Sequence, residues 1–183
     1  MGRTSSTYER ELKELLQGDP ETVDRYVRAL DPVDRPVLRR AQKSPFLVIR
    51  AAGSLGFDLV ALRSEFSFPI EVKSSSSDVI RFSSASGRAT EQLAAHQASV
   101  DKVGLIVLYA YRRIGHRGGD PWRLYATPGV PGPGRLGYLR RKLPTMDRTR
   151  EGNAVLRWND GLPLVRFLEH VLVWTERPAE APT

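Results

Sequence analysis

The sequence predicts an α/β chain, a mixed central sheet of four or five strands with helices on its faces. Three observations carry that prediction. Between residues 66 and 73, Phe66, Phe68, Ile70 and Val72 alternate with Ser67, Pro69, Glu71 and Lys73, and a period of two marks a half-buried strand. Residues 104–111, GLIVLYAY, form a continuous apolar run of the kind that lies at a sheet centre. Apolar stripes of helical spacing occur in residues 8–16, 88–103 and 163–174, as expected of helices that each lay one face on such a sheet.

Taken in order, residues 1–7 are a polar lead-in, and Ser6 or Thr7 can cap a helix starting near Tyr8. Leu12, Leu15 and Leu16 form its stripe. Glu9 falls near the buried edge in the first turn, where a carboxylate also simply complements the helix dipole. Residues 17–45 hold two further helix starts, Asp19-Pro20-Glu21 and Asp31-Pro32-Val33-Asp34, each with proline in the first turn. Val23, Tyr26, Val27 and Leu30 make one apolar face, and Val33, Val37, Leu38 and Ala41 the other. Arg39, Arg40 and Lys43 on the second helix suit either a DNA-facing arm or a solvated face.

Residues 46–50 read as a strand entered by Pro45. They run into a Gly- and Ser-containing segment, 51–56, which either brings backbone N–H groups close to a phosphate or merely turns the chain. A short strand, 59–62, is entered by Asp58, and residues 63–65 can join it to the alternating strand as a hairpin. Serines 74–77, a strand at 79–82 and a loop at 83–87 follow. Leu93, Ala94, Gln97, Val100 and Val103 give the helix 88–103 its spacing, and His96, with no supporting ligand residue, is expected at a surface or an interface. The apolar strand, a basic Gly-rich loop at 112–120 and a strand at 122–126 make a hairpin with a cationic tip. A Pro/Gly connector, 128–137, leads to a basic stretch, 135–150, in which Tyr138 and Leu139 are interleaved. A strand at 154–158 and a packing helix at 163–174 close the chain before a disordered tail, 177–183. The organisation expected is a core over 1–127 with a helical insertion at 17–45, then a basic C-terminal extension, 128–176, that packs on the core.

With 183 residues the chain can bury a real core as one domain. The net charge of +7 favours an anionic partner. That excess is local, because residues 111–150 hold ten Arg or Lys against Asp120 and Asp147 alone. Arg112, Arg113, Arg140, Arg141 and Lys142 are the DNA-backbone contacts this distribution nominates. The absence of cysteine excludes disulfides and thiolate metal sites. No apolar leader and no run long enough to span a bilayer are seen, so the expectation is a cytoplasmic, DNA-associated protein with no membrane partner.

The chemistry concentrates at Asp58, Glu71 and Lys73. Glu71 and Lys73 lie on one face of their strand, and a hairpin brings Asp58 to the same sheet end. Two carboxylates beside a lysine can bind a hard divalent cation and still offer an ammonium to a phosphate or a water. The same residues also describe an ordinary solvated strand face. Asp-x12-Glu-x-Lys resembles the working core of the PD-(D/E)xK nucleases, although Phe57 stands where that name expects proline.

The flanks extend the resemblance. Tyr8-Glu9-Arg10-Glu11-Leu12, Arg50-Ala51-Ala52-Gly53-Ser54, Asp58-Leu59-Val60-Ala61, Ile70-Glu71-Val72-Lys73-Ser74 and Trp122-Arg123 occur in the order seen in archaeal-type Holliday junction resolvases, which residues 5–125 resemble. The insertion at 17–45 departs from that family. The resemblance implies a restriction-endonuclease-like fold and a homodimeric nuclease resolving four-way junction DNA by paired symmetric cuts. It further implies Mg²⁺ as cofactor, Mn²⁺ substituting, held by Asp58, Glu71 and the Val72 carbonyl, with Glu9 directly or through water. Lys73 would complete the catalytic set, while Arg10, Arg50 and Ser54 would grip the scissile strand. A nuclease of this superfamily acting on duplex or flap DNA, and a DNA-binding module with idle carboxylates, are the competing readings.

Overall fold

The fold grows outward from one hairpin. In the computed structural model, which describes residues 5–51, 56–64, 66–82 and 87–175, β2 (Leu59–Leu62) and β3 (Ser67–Ser75) pair antiparallel, as their alternation requires. The edge strand β1 (Leu47–Arg50) adds to β2. On the other side β5 (Leu108–Arg113) pairs with β3 in parallel. That pairing needs a long crossover, supplied by β4 (Val79–Phe82) and α4 (Gly87–Val103). β6 (Trp122–Ala126) follows β5 as the expected hairpin, and β9 (Leu162–Pro163) closes a six-stranded mixed sheet ordered β1-β2-β3-β5-β6-β9.

The sheet is mixed and flanked by helices, as the sequence predicts. It has one strand more than expected, because a two-residue strand is too short to leave a periodic signature. A second sheet was not foreseen: β4 pairs with β8 (Ala154–Arg157), and β8 with β7 (Asp147–Arg148). Residues 128–175 thus complete both sheets and supply α5 (Gly134–Lys142) and α6 (Leu164–Thr175).

Two cores follow from the two sheet faces. Phe68, Ile70, Val72, Leu108 and Leu124 face α1 (Ser5–Leu16), α2 (Pro20–Ala29), α3 (Arg35–Gln42), α5 and α6. Tyr109, Tyr111 and Tyr125 face the other way and meet Phe82, Leu156, Trp158 and Val100 of α4. The insertion forms the two helices expected. Asp19 caps α2 by accepting from the Thr22 N–H at 2.9 Å. Val33 leaves the predicted apolar face and is 72% exposed, since it lies in the turn before α3. α1 begins at Ser5, earlier than its candidate caps suggest, and the apolar run enters β5 only at Leu108.

Asp120 ties these layers together. Its Oδ1 accepts from the Tyr26 hydroxyl at 2.5 Å and the Trp122 N–H at 2.9 Å, and its Oδ2 from the Val165 N–H at 2.8 Å. One buried carboxylate therefore joins α2, the start of β6 and the N-terminus of α6.

Candidate active site

The register of the β2–β3 hairpin builds the site. Leu59 pairs with Ile70, and Asp58, just before β2, bonds to Ile70 and to Val72, the two residues that flank Glu71. The Asp58 N–H donates to the Ile70 carbonyl at 3.1 Å, and the Asp58 carbonyl accepts from the Ala51 N–H at 3.0 Å. The Asp58 carboxylate accepts from the Val72 N–H at 2.7 Å, taking over from the ladder where β2 begins.

Glu71 is 3% exposed. Its Oε1 accepts from the Lys73 ammonium at 2.5 Å, while Oε2 is buried with no hydrogen-bond partner. Burial pushes the Glu71 carboxyl up; Lys73 opposes this and the nearby Asp58 charge adds to it. Gln92 acts on Glu71 as a weak side-chain hydrogen-bond donor that opposes the rise, while its amide makes its well-formed bond to the Gly56 carbonyl at 2.9 Å. Burial also pushes Asp58 up, against the Val72 hydrogen bond, and the charge of Glu9 pushes it further. Two carboxylates forced together in a half-dry site, one with an unpaired oxygen, make a donor set that fits a hard divalent cation such as Mg²⁺ or Mn²⁺.

Other nominated residues are placed differently. Glu9 pairs with Arg50 at 2.8 Å. Among the described residues no three acidic or histidine side chains converge as a metal cluster, and the charge of Glu9 acts on Asp58. Arg50 is half exposed at the rim. Arg10 is exposed on α1 and lines a polar groove with Glu14, Asp19 and Arg25. Ser54 lies outside the described residues, as do 83–86 and the tail.

The basic residues divide. Arg112 pairs with Glu11 at 2.9 Å, with little of either side chain exposed, and lies over the Tyr8 and Trp122 rings. Arg140 is also turned inward, 7% exposed, donating to the Thr127 carbonyl at 2.9 Å and the Leu105 carbonyl at 3.1 Å. Its guanidinium satisfies one buried and one part-buried carbonyl, and turning it to a phosphate would cost those bonds. Arg113 pairs with Asp78 beside Trp158. Arg141 and Lys142 are exposed.

His96 departs from its expected place. It is 2% exposed, not at a surface, and contacts both the Asp58 loop and β5. Its neighbour Tyr109 is the register partner of Glu71. No local spacing announces this, because it depends on the parallel pairing of β3 with β5.

No family model matches the chain, and no curated protein does. Among solved structures it is similar to the 1.6 Å structure of Hjc, a Holliday junction resolvase from the archaeal hyperthermophile Archaeoglobus fulgidus, at 20% identity and a TM-score of 0.45 over 79% of this chain and 96% of that one. The likeness is loose and assigns no activity to this chain. Among the described residues no helix is long and apolar enough to cross a membrane.

Proposed function

We propose that this chain is a structure-selective endonuclease that resolves four-way DNA junctions by Mg²⁺-dependent, paired, symmetric hydrolysis of phosphodiester bonds. One observation carries the reading: Asp58, bonded to Ile70 and Val72 on either side of Glu71, lies close enough for the two carboxylates to repel, with Glu71 Oε2 buried and without a hydrogen bond and Lys73 on Oε1. Buried polar atoms are nearly always partnered, and an orphan beside a second carboxylate is what a cation ligand looks like without its ion.

Asp58, Glu71 and the Val72 carbonyl would hold the cation. Bound there, Mg²⁺ supplies charge that polarises the scissile phosphate and makes the attacking water more acidic. Lys73, about a quarter exposed, reaches from the buried carboxylate toward solvent. It orients the water or neutralises charge building on phosphorus. Arg50 at the rim and the exposed Arg141 and Lys142 contact the phosphate backbone.

A four-way junction has approximate two-fold symmetry and needs two cuts, so the active unit is a homodimer. Apolar surface for it is available on the edge strand, where Leu47 and Ile49 are 61% and 50% exposed. Light scattering should report about twice the 20.5 kDa chain mass, and Leu47→Asp with Ile49→Asp should return it to the monomer.

Incubating the protein with labelled four-way junction and matched linear duplex, with and without Mg²⁺, tests the activity. Paired nicks in the junction alone, dependent on the cation, are expected. Equal cutting of duplex would move the reading to a general nuclease, and binding without any cleavage would make the carboxylates idle.

A further inference from the structure

We propose that His96 is a positioning residue of the cation site, fixing Asp58 through Gly56 and keeping Glu71 Oε2 open through Tyr109. This rests on the reading of Asp58 and Glu71 as cation ligands.

The hydrogen bonds determine the tautomer. His96 Nε2 lies 2.6 Å from the Gly56 carbonyl, which can only accept, so Nε2 carries the proton. Nδ1 then offers a lone pair, and the Tyr109 hydroxyl, 2.7 Å away, donates to it. Both ring nitrogens and the phenolic proton are thereby committed.

Two consequences follow for the site. Gly56, two residues before Asp58, is in the left-handed region at φ 72°, where glycine is favoured. Its carbonyl takes two donors from successive turns of α4, His96 and Gln92. Phe57 stacks on the imidazole at 4.4 Å between ring centres. The residues leading into Asp58 are thus held by α4 while the Asp58 carboxylate is held by Val72. The second consequence concerns Glu71. Tyr109 is its neighbour on β5, and a phenol whose proton is directed at His96 does not donate it to Oε2. Without an acceptor at position 96, that hydroxyl turns to the unpaired carboxylate oxygen and competes with the cation.

Mn²⁺ binding to the full chain, followed by titration calorimetry without DNA, separates positioning from simple core filling. His96→Ala should weaken Mn²⁺ by about ten- to a hundredfold, the range typical of partners that orient metal ligands, while unfolding stays cooperative. His96→Gln, whose amide can donate to Gly56 and accept from Tyr109, should recover most of that loss. In cleavage assays the Ala defect should fall on kcat and be relieved by raising Mn²⁺, which a generally loosened fold would not be. Should His96→Ala not fold, His96→Asn, too short to reach both partners, carries the same expectation. Wild-type Mn²⁺ affinity in the Ala or Asn variant, with affinity lost in Glu71→Gln, would overturn the positioning role alone. A folded wild type that binds no Mn²⁺ would overturn the cation site first and this role with it.

Discussion

Glu71 and Asp120 are both buried carboxylates whose proton affinity is raised chiefly by burial, yet they are built for opposite ends. Asp120 has both oxygens occupied, by a hydroxyl and two backbone N–H groups from three elements. Glu71 has one oxygen on Lys73 and a buried second oxygen that no well-formed hydrogen bond reaches, with Gln92 alone acting weakly on the group. Burial alone therefore does not mark a site. The distinguishing quantity is whether the desolvated charge is satisfied by the fold, because an unsatisfied buried acceptor is an unfavourable feature that a proton, a water or a cation relieves.

The largest effect expected is on activity. Glu71→Gln and Asp58→Asn should each reduce cleavage by at least about a thousandfold, the loss of several kcal/mol of charge stabilisation, with DNA binding retained. Lys73→Ala should bind both DNA and Mn²⁺ and cut very slowly. Full activity in Glu71→Gln would remove the site assignment. The stability of that variant sharpens the comparison: its amide oxygen still accepts from Lys73, so chemical denaturation should shift by less than about 1 kcal/mol.

Asp120→Asn should do the reverse. An amide there sets a donor against N–H groups already pointing inward, and a loss of about 3 kcal/mol in unfolding free energy is expected. Mn²⁺ affinity should be unchanged. A similar stability loss in Glu71→Gln and Asp120→Asn would abolish the distinction between a satisfied and an unsatisfied acid.

Solution pH tests the same contrast more gently. Glu71 and Asp58 bind protons more tightly folded than unfolded. Their contribution is therefore fully present below the ordinary carboxylate range and is lost as pH rises through the raised folded values. Relative to Glu71→Gln, cation-free wild type should lose stability across that window, and Mg²⁺ should restore it at neutral pH in wild type only. Wild type and variant running parallel from about pH 4 to 8 would show that Glu71 is not strained.

The contrast also explains what the sequence disclosed. The hairpin was legible because its register is local: alternation fixes which face Glu71 and Lys73 share, and a short connection brings Asp58 to the residues flanking Glu71. The helical stripes of Leu12, Leu15 and Leu16 in α1 and of Val165, Leu168 and Val171 in α6 were legible for the same reason. What was hidden depends on distant partners. Tyr109 reaches Glu71 only because β3 and β5 pair in parallel across a crossover. His96 is buried because α4 covers that face, and the helix offers few large apolar residues to announce it. Asp120 looks in sequence like one acid in a basic loop, and its three donors come from across the chain.

Positive charge was the least legible feature, and it supplies the smallest and last test. Composition treats Arg140, Arg141 and Lys142 as one basic run, but the fold separates them. Arg140 serves the Thr127 and Leu105 carbonyls, whereas its two neighbours face solvent. Neutralising Arg141 and Lys142 together should weaken binding to every DNA shape alike and reduce the log–log salt slope by about two, because each phosphate left without its cation removes roughly one. Fold stability should hardly move, since exposed charges contribute little to it. Arg140→Met should leave the slope as it is and lower stability instead, because one buried and one part-buried carbonyl lose their donor. The two variants thus exchange phenotypes if burial, and not sequence position, decides which cation meets DNA. An unchanged slope in the Arg141/Lys142 variant would mean that α5 points away from the duplex, and the backbone contacts would then have to come from the rim around Arg50.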